Sequence, residues 1–335
     1  MITIKEIAFE LGVSPTTVSN VINGRTGKMS QDTRKRIEEA LIKYDYKREE
    51  KNYIGANELK LVTVDFNMRL KEKLFTDPFC AELLDSICME LKQYGRYPVC
   101  ESIESADEAY TKLKTGNVEG GIIVGFDPWA CEAFAEKVGK PVVFVDCGEG
   151  DYDNVGIEDY EGGRMITEYL LKQGHRKIAF FCDRKSPASS TLDRFQGYCD
   201  ALKKYNITYN NKDYFYLPDN KTERREQLRR FARLSRDIGH TAVVVVSDVL
   251  ATETINVLND EGLQVPEDIS VVGFDDNVYA RLSHPKLTTI RQSVAEKGQL
   301  AVNLLMKRIR GEEVLLNSYK LPVELIVRDS VKNIN

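Results

Sequence analysis

The sequence predicts a small α-helical head joined to a larger α/β body of two parallel, doubly wound sheets. Three observations carry this. The first 48 residues place apolar side chains at helical spacing three times over. After residue 60, short apolar runs alternate with amphipathic stretches in two successive series. The 335 residues, 42% hydrophobic and 30% charged, suffice for two or three domains with buried cores.

In the head, Ile4, Ile7, Ala8 and Leu11 share one helical face, and Gly12 suits the left-handed turn that ends a helix. Ser14-Pro15 then starts a second helix, the serine as N-cap and the proline at the first helical position. Its inward residues are Val18, Val21 and Ile22, while Thr16, Thr17, Ser19, Asn20 and Asn23 stay on the polar side. A third helix begins near Ser30 and buries Ile37, Leu41 and Tyr44. Two short helices across a glycine turn, closed by a third, make a helix-turn-helix, whose second helix lies in the DNA major groove. That helix carries no acidic residue, and its hydroxyls and amides can donate to phosphates. Residues 1–48 hold nine Lys/Arg against six Asp/Glu, on a chain of net charge −5, so a polyanion is expected at the head.

In the body, strands are expected at 61–66, 97–100, 121–124 and 142–146, with helices at 79–94, 105–115 and 129–138. The second series has strands at 178–182, 214–217, 242–247 and 269–274. Its helices lie near 160–173, 190–205, 222–237 and 248–262. Nearly continuous apolar strands between helices indicate parallel sheets covered on both faces. Such sheets bind ligands beyond the carboxyl ends of their strands. There stand Phe126-Asp127, Asp146, Ser247-Asp248 and Asp275-Asp276. Carboxylates, amides and an arginine converging on a cleft suit a neutral polyhydroxylated ligand such as a sugar.

Other classes are disfavoured. No apolar run is long enough for a membrane span, and Met1–Glu6 is not a signal peptide, so a soluble cytoplasmic protein is expected. The seven cysteines form no C-x-x-C pair, and His175, His240 and His284 lack metal-ligand spacing. There is no phosphate-binding glycine loop and no nucleophile elbow, so neither cofactor nor enzyme activity is expected.

The head motifs Ile4-Lys5-Glu6-Ile7-Ala8, Leu11-Gly12-Val13-Ser14, Thr17-Val18-Ser19 and Val21-Ile22-Asn23-Gly24 closely resemble the lactose-repressor/galactose-repressor (LacI/GalR) family. The body resembles it too, through Asp77-Pro78-Phe79, Gly162-Gly163, Gly174-His175-Arg176, Arg194-Phe195-Gln196-Gly197-Tyr198 and the run from Val265-Pro266-Glu267 to Asp275-Asp276. Leu321-Pro322-Val323-Glu324 continues the match. The resemblance implies a periplasmic-binding-protein-like core with an effector between its lobes. It implies that Pro15, Thr16 and Asn20 read bases, while Thr3, Thr17, Ser19, Asn23, Ser30 and Thr33 touch phosphates. Asn20, where the family often has arginine, points to a different operator, since asparagine favours adenine. By motif position the effector residues are Phe79, Asp146, Arg194, Ser247, Asp248, Asp275 and Gln292. Arg194 is expected to fork onto two ligand hydroxyls. Trp129 is expected either to stack on the ligand or to pack under a loop.

The resulting expectation is a sequence-specific DNA-binding regulator, a repressor, acting as a homodimer on a pseudo-palindromic operator under control of a sugar. Residues 1–48 form the head, 49–60 a linker and 61–335 the sensor. The N-lobe takes about 61–160 plus 291–320, and the C-lobe about 161–290 plus 321–335. Chain crossings fall near 158–163, 288–293 and 319–323. In the linker, Gly55 stands where the family has a wedging leucine, so a poorly formed hinge helix and little DNA bending are expected. Two other assignments compete. One is the same kind of regulator answering to a purine or a phosphoprotein corepressor; the other is a sugar-binding transport protein without a DNA role. The head and the missing signal peptide oppose the second.

Overall fold

A computed structural model of the chain describes residues 4–22, 29–44, 59–67, 74–312 and 315–335. Two compact units emerge, Met1–Glu58 and Leu59–Asn335. Thr3, Asn23 and linker positions 49–58, with the expected hinge at Gly55, lie outside the described residues.

The head contains α1 (Ile4–Leu11), α2 (Pro15–Ile22) and α3 (Gln31–Lys43). Ile7, Ala8, Val18, Ile37 and Ala40 form its small core, with Leu11, Val21, Leu41 and Tyr44 packed around it. Gly12 turns the chain between α1 and α2 at φ +66°, where a side chain would be strained. Ser14 Oγ accepts from Thr17 N at 3.1 Å, and Ser30 Oγ accepts from Thr33 N at 3.2 Å. Each cap contributes about 1 kcal/mol to starting its helix.

The larger unit has two six-stranded sheets. The first contains β1 (Leu61–Asn67), β2 (Tyr97–Ile103), β3 (Gly120–Val124), β4 (Val142–Val145) and β5 (Asn154–Ile157). Helices α4 (Pro78–Gln93), α5 (Ala106–Thr115) and α6 (Pro128–Val138) connect its strands. The second lobe brings α7 (Asp159–Lys172), β6 (Ile178–Cys182), α8 (Ser190–Lys204), β7 (Tyr214–Tyr216), α9 (Lys221–Ile238) and β8 (Ala242–Val245). It continues with α10 (Asp248–Asp260), β9 (Ser270–Asp275), α11 (Val278–Leu282) and β10 (Thr288–Gln292). Then α12 (Val294–Ile309) and β11 (Ser318–Leu321) return to the first lobe, and β12 (Val323–Ile326) ends in the second.

Strand orders are β11-β5-β4-β3-β1-β2 and β12-β10-β9-β8-β6-β7. The first sheet is wholly parallel; in the second, β12 runs antiparallel to β10 at the edge. That antiparallel strand is the one departure from the expected parallel sheets. It arises because the chain leaves β11 and enters the other lobe after a single residue, Pro322. The chain crosses between lobes after β5, after β10 and after β11.

Alternation along β1 explains the layering. Val62, Val64 and Phe66 join the main core with α4, whereas Ile123 on the neighbouring strand packs with Leu113, Phe134 and Phe144 on the opposite face. Helices α7 and α8 pack backbone to backbone. A Cβ on Gly163 would lie 2.1 Å from the Arg194 carbonyl oxygen, and one on Gly197 would lie 2.2 Å from that of Tyr160. These glycines set Arg194 beside the start of α7.

Candidate functional sites: the head surface and the interlobe cleft

On the head, Pro15 and Thr16 are exposed, and Thr17, Ser19 and Asn20 are half-buried along α2. That helix carries no charge of either sign. Thr17 shares its hydroxyl with Ser14 at 2.8 Å, and Thr33 shares its own with Ser30 at 2.8 Å. Both pairs therefore cap helices as well as facing solvent. On α3, Arg34, Lys35 and Arg36 are exposed. Arg36 donates to the Leu11 carbonyl at 3.2 Å and so ties α3 to the turn.

In the sensor, both lobes have the strand order that puts a switch point between their first and third strands. A cavity of about 180 Å³ opens there. From the first lobe it takes Phe66 and Asn67 at the end of β1, Val124 and Gly125 at the end of β3, Asp77 and Phe79 at the start of α4, and Asp146 after β4. From the second come Asp183, Ser190, Thr191, Arg194, Val246, Ser247, Asp275 and Gln292. The structure thus brings together Phe79, Asp146, Arg194, Ser247, Asp275 and Gln292.

Asp248 is not among the lining residues. It is 0% exposed, and its carboxylate accepts from Asn277 N at 2.9 Å and from the Thr289 hydroxyl at 2.6 Å. The reason is helical geometry. Ser247 is the N-cap of α10, accepting from Leu250 N, and the next residue turns inward beneath β9. Burial drives the Asp248 carboxyl well above the usual range. Asp276 likewise serves the fold, accepting from Arg291 at 2.8 Å and from Arg328. Trp129 neither lines the cavity nor packs under a loop: it is 75% exposed in the first turn of α6. Phe126 is buried in the first-lobe core, and Asp127 pairs across the lobes with Arg184 at 3.2 Å.

Backbone strain gathers at the cleft. Asp146 (φ 54°), Ser189 (φ 51°) and Asp275 (φ 122°) all hold left-handed conformations without being glycine. Each costs of order 1–3 kcal/mol, and such outliers collect at binding sites. Burial pushes the Asp275 carboxyl up to about 7, against the pull of the Arg194 guanidinium. Gln292 Nε2 donates to it at 2.6 Å.

Several residues of the candidate site are not evident from the sequence. Asp159 holds Arg194 Nε at 2.7 Å, yet it reads as an ordinary acidic residue in a first helical turn. Asp77 and Asp183 line the cavity beside Phe66, whose visible role was core strand. Lys297 left a usable signal: a lysine on the apolar stripe of Val294, Gly298 and Ala301 in α12.

A helix-turn-helix head followed by a two-lobed sensor with an interlobe cavity defines a ligand-responsive DNA-binding regulator. Comparison with known proteins agrees. Residues 3–49 match the model for bacterial regulatory proteins of the lacI family, and residues 167–331 match that for a periplasmic binding protein-like domain. Over 349 residues the chain is 31% identical to the HTH-type transcriptional repressor PurR of Vibrio vulnificus strain CMCP6, covering all of both chains. A solved complex of the transcriptional regulator CelR with cellobiose is 26% identical, with a TM-score of 0.72 over 98% of this chain and 100% of that one. The lac repressor dimer bound to operator and the anti-inducer ONPF shares the fold, with a TM-score of 0.72, 24% identity and 99% of each chain covered. The chain belongs to the lacI family of bacterial regulatory proteins. It is a DNA-binding transcriptional regulator with a small-molecule effector.

Proposed function

We propose that this regulator is a cytoplasmic repressor without enzymatic activity. It binds a pseudo-palindromic operator as a homodimer, and an uncharged sugar occupies its cleft. The charge balance of the cavity carries the ligand reading. Among the described residues, Arg194 is held by Asp159 and the Val246 carbonyl, and Lys297 by Asp146 and Gln292. Asp77, Asp183 and Asp275 remain on the walls with no lysine or arginine bonded to them among the described residues. A phosphate or carboxylate ligand meets repulsion there. Hydroxyls can donate to these carboxylates and accept from Arg194 Nη2, while Phe79 offers an apolar face to a sugar ring. The CelR–cellobiose likeness supports the same class.

Exposed apolar residues support the dimer. Met89, Tyr97 and Val99 lie on the first lobe, and Val278, Tyr279 and Leu282 on α11 of the second. A second copy burying both sets gains about 25 cal/mol per Å² of apolar surface. No described helix is long and apolar enough to cross a membrane.

On the head, Pro15, Thr16 and Asn20 read base edges and Thr17, Ser19, Ser30 and Thr33 position the phosphates. Thr3 and Asn23 complete that set by sequence. The test is a thermal-shift screen of the full chain against neutral mono- and disaccharides, their phosphates, amino sugars and nucleobases. Stabilisation by a neutral sugar and none by its phosphate is expected. Stabilisation by a nucleobase alone would select the purine alternative.

A further inference from the structure

Lys297 sits in the first turn of α12 and is 0% exposed. Its Nζ donates at 2.8 Å to each carboxylate oxygen of Asp146 and at 2.6 Å to Gln292 Oε1. It also stands 5.0 Å from the centre of the Phe79 ring. An ammonium has three N–H donors, and here three oxygens meet them. Burying a charge costs several kcal/mol unless it is paired and hydrogen-bonded throughout, as this one is.

Asp146, Gln292 and Phe79 line the cleft, whereas Lys297 stands behind them. Its bond to Gln292 fixes the amide orientation. Oε1 turns to the lysine, and Nε2 donates to Asp275 at 2.6 Å. That bond also spans a crossover. Gln292 ends β10 in the second-lobe sheet, Lys297 begins the helix that packs on the first lobe, and Asp146 follows β4 of the first-lobe sheet. A continuous relay, Asp146–Lys297–Gln292–Asp275, therefore runs from one lobe to the other.

We propose that Lys297 is a positioning residue for the effector site. It holds Asp146 and Gln292 in their cleft-facing poses and, through Gln292, ties the lobes across the second crossover when no ligand is bound. The inference rests on the cleft being the effector site. A ligand hydroxyl that bonds Asp146 or Gln292 shares partners with the lysine, so occupancy redistributes the bonds that hold the crossover. In this way a ligand gains different contacts in two lobe arrangements, which any ligand-driven shift requires.

Lys297→Met tests this: it keeps the length of the side chain and removes its three hydrogen bonds, and because Asp146 is left without its partner a lower melting temperature is expected beside the effect on the lobes. Spin labels at Glu136 on α6 and Glu226 on α9, one exposed site per lobe, report the lobe separation in the ligand-free full chain. Lys297→Met should broaden the distance distribution and add a second population. It should also shift ligand-free affinity for a selected operator by about five-fold or more. Asp146→Asn, which leaves an amide oxygen for the lysine, should move both less. An unchanged distribution and operator affinity in a Lys297→Met protein with an intact melting transition overturns the proposal. Should that variant fail to fold, Gln292→Leu keeps the Lys297–Asp146 pair and cuts the relay on both sides of Gln292, at Lys297 and at Asp275. It should produce the same broadening, and its absence is equally decisive. The distances are read without ligand or DNA. A wild type that answers to no small molecule therefore counts against the effector reading, separately from the relay.

Discussion

Arg194 donates from Nε to Asp159 Oδ1 at 2.7 Å and from Nη1 to the Val246 carbonyl at 2.6 Å, with its guanidinium 3.6 Å over the Phe274 ring. The protein thus holds the fork that the sequence assigned to two ligand hydroxyls, and Nη2 is left to meet a ligand. Arg194→Ala should lower effector affinity by about 10–100-fold, the worth of a hydrogen bond to a charged group. It also leaves Asp159 buried without its partner, costing about 3–5 kcal/mol of stability. Adding Asp159→Asn should restore much of the melting temperature and none of the affinity. Recovery of ligand binding in the double variant, measured by calorimetry, would show that Arg194 acts only on the fold.

Asp275 gives the cleft a pH dependence. Burial raises its carboxyl to about 7, and only the ionised form accepts hydrogen bonds at both oxygens. Effector affinity should therefore be highest above pH 7 and fall as pH drops, by up to about ten-fold per unit. Asp275→Asn should flatten that profile and weaken binding at pH 8, while operator binding without ligand stays. A wild-type affinity constant from about pH 8 to about pH 5.5 would contradict this.

Asp65, on the central strand β1, is 0% exposed, and among the described residues neither carboxylate oxygen has a hydrogen bond of good geometry. Burial raises it to about 6, against the pull of the neighbouring Thr63 hydroxyl and the attraction of Lys112. Since the folded value lies above the unfolded one, the ionised group destabilises the fold. That penalty is absent below the unfolded value near 3.8, grows as pH rises towards 6, and is complete above it. Asp65→Asn should raise stability at neutral pH by about 1–3 kcal/mol and remove this dependence. Chemical denaturation at pH 7.5 and pH 5 checks it. Equal destabilisation of the variant at both would mean that Asp65 has a partner worth keeping.

On the head, Asn20 and Ser19 should behave differently. Asn20→Arg should change the preferred base at one operator position, worth about 1–3 kcal/mol, because arginine pairs with guanine and asparagine with adenine. Ser19→Ala should weaken all sequences alike, as loss of a phosphate contact does. Selection from a randomised operator library reads both. An identical base preference for wild type and Asn20→Arg would remove Asn20 from the base-reading set.

The alternation of apolar runs and amphipathic stretches made β1 to β4, β6 to β9 and their helices legible, because most of these strands are buried end to end, with only the edge strands β2 and β7 part-exposed. Strand β5 was not, since Asn-Val-Gly-Ile has no such run, and β11 and β12 are short edge strands with half-exposed faces. Among site residues, the strand-end positions Asp146 and Asp275 were visible from topology. Asp248 misled because a strand-end aspartate one residue past an N-cap turns into the core. Asp159 and Lys297 escaped for another reason. Their partners, Arg194 and Asp146, lie 35 and 151 residues away, so that even where a local signal exists, as for the lysine on the apolar stripe of α12, the partner is not legible.

The central claim, that a ligand in this cleft controls operator affinity, is met most directly by one calorimetric measurement. The stabilising ligand from the screen is titrated into the full chain, first free and then saturated with its selected operator. Linkage requires that a ligand which changes operator affinity has its own affinity changed by the same factor. The expected result is a shift of about five-fold or more between the two titrations, with both titrations weakened by Arg194→Ala. Equal ligand affinity with and without operator, or binding that survives Arg194→Ala unchanged, would contradict the account.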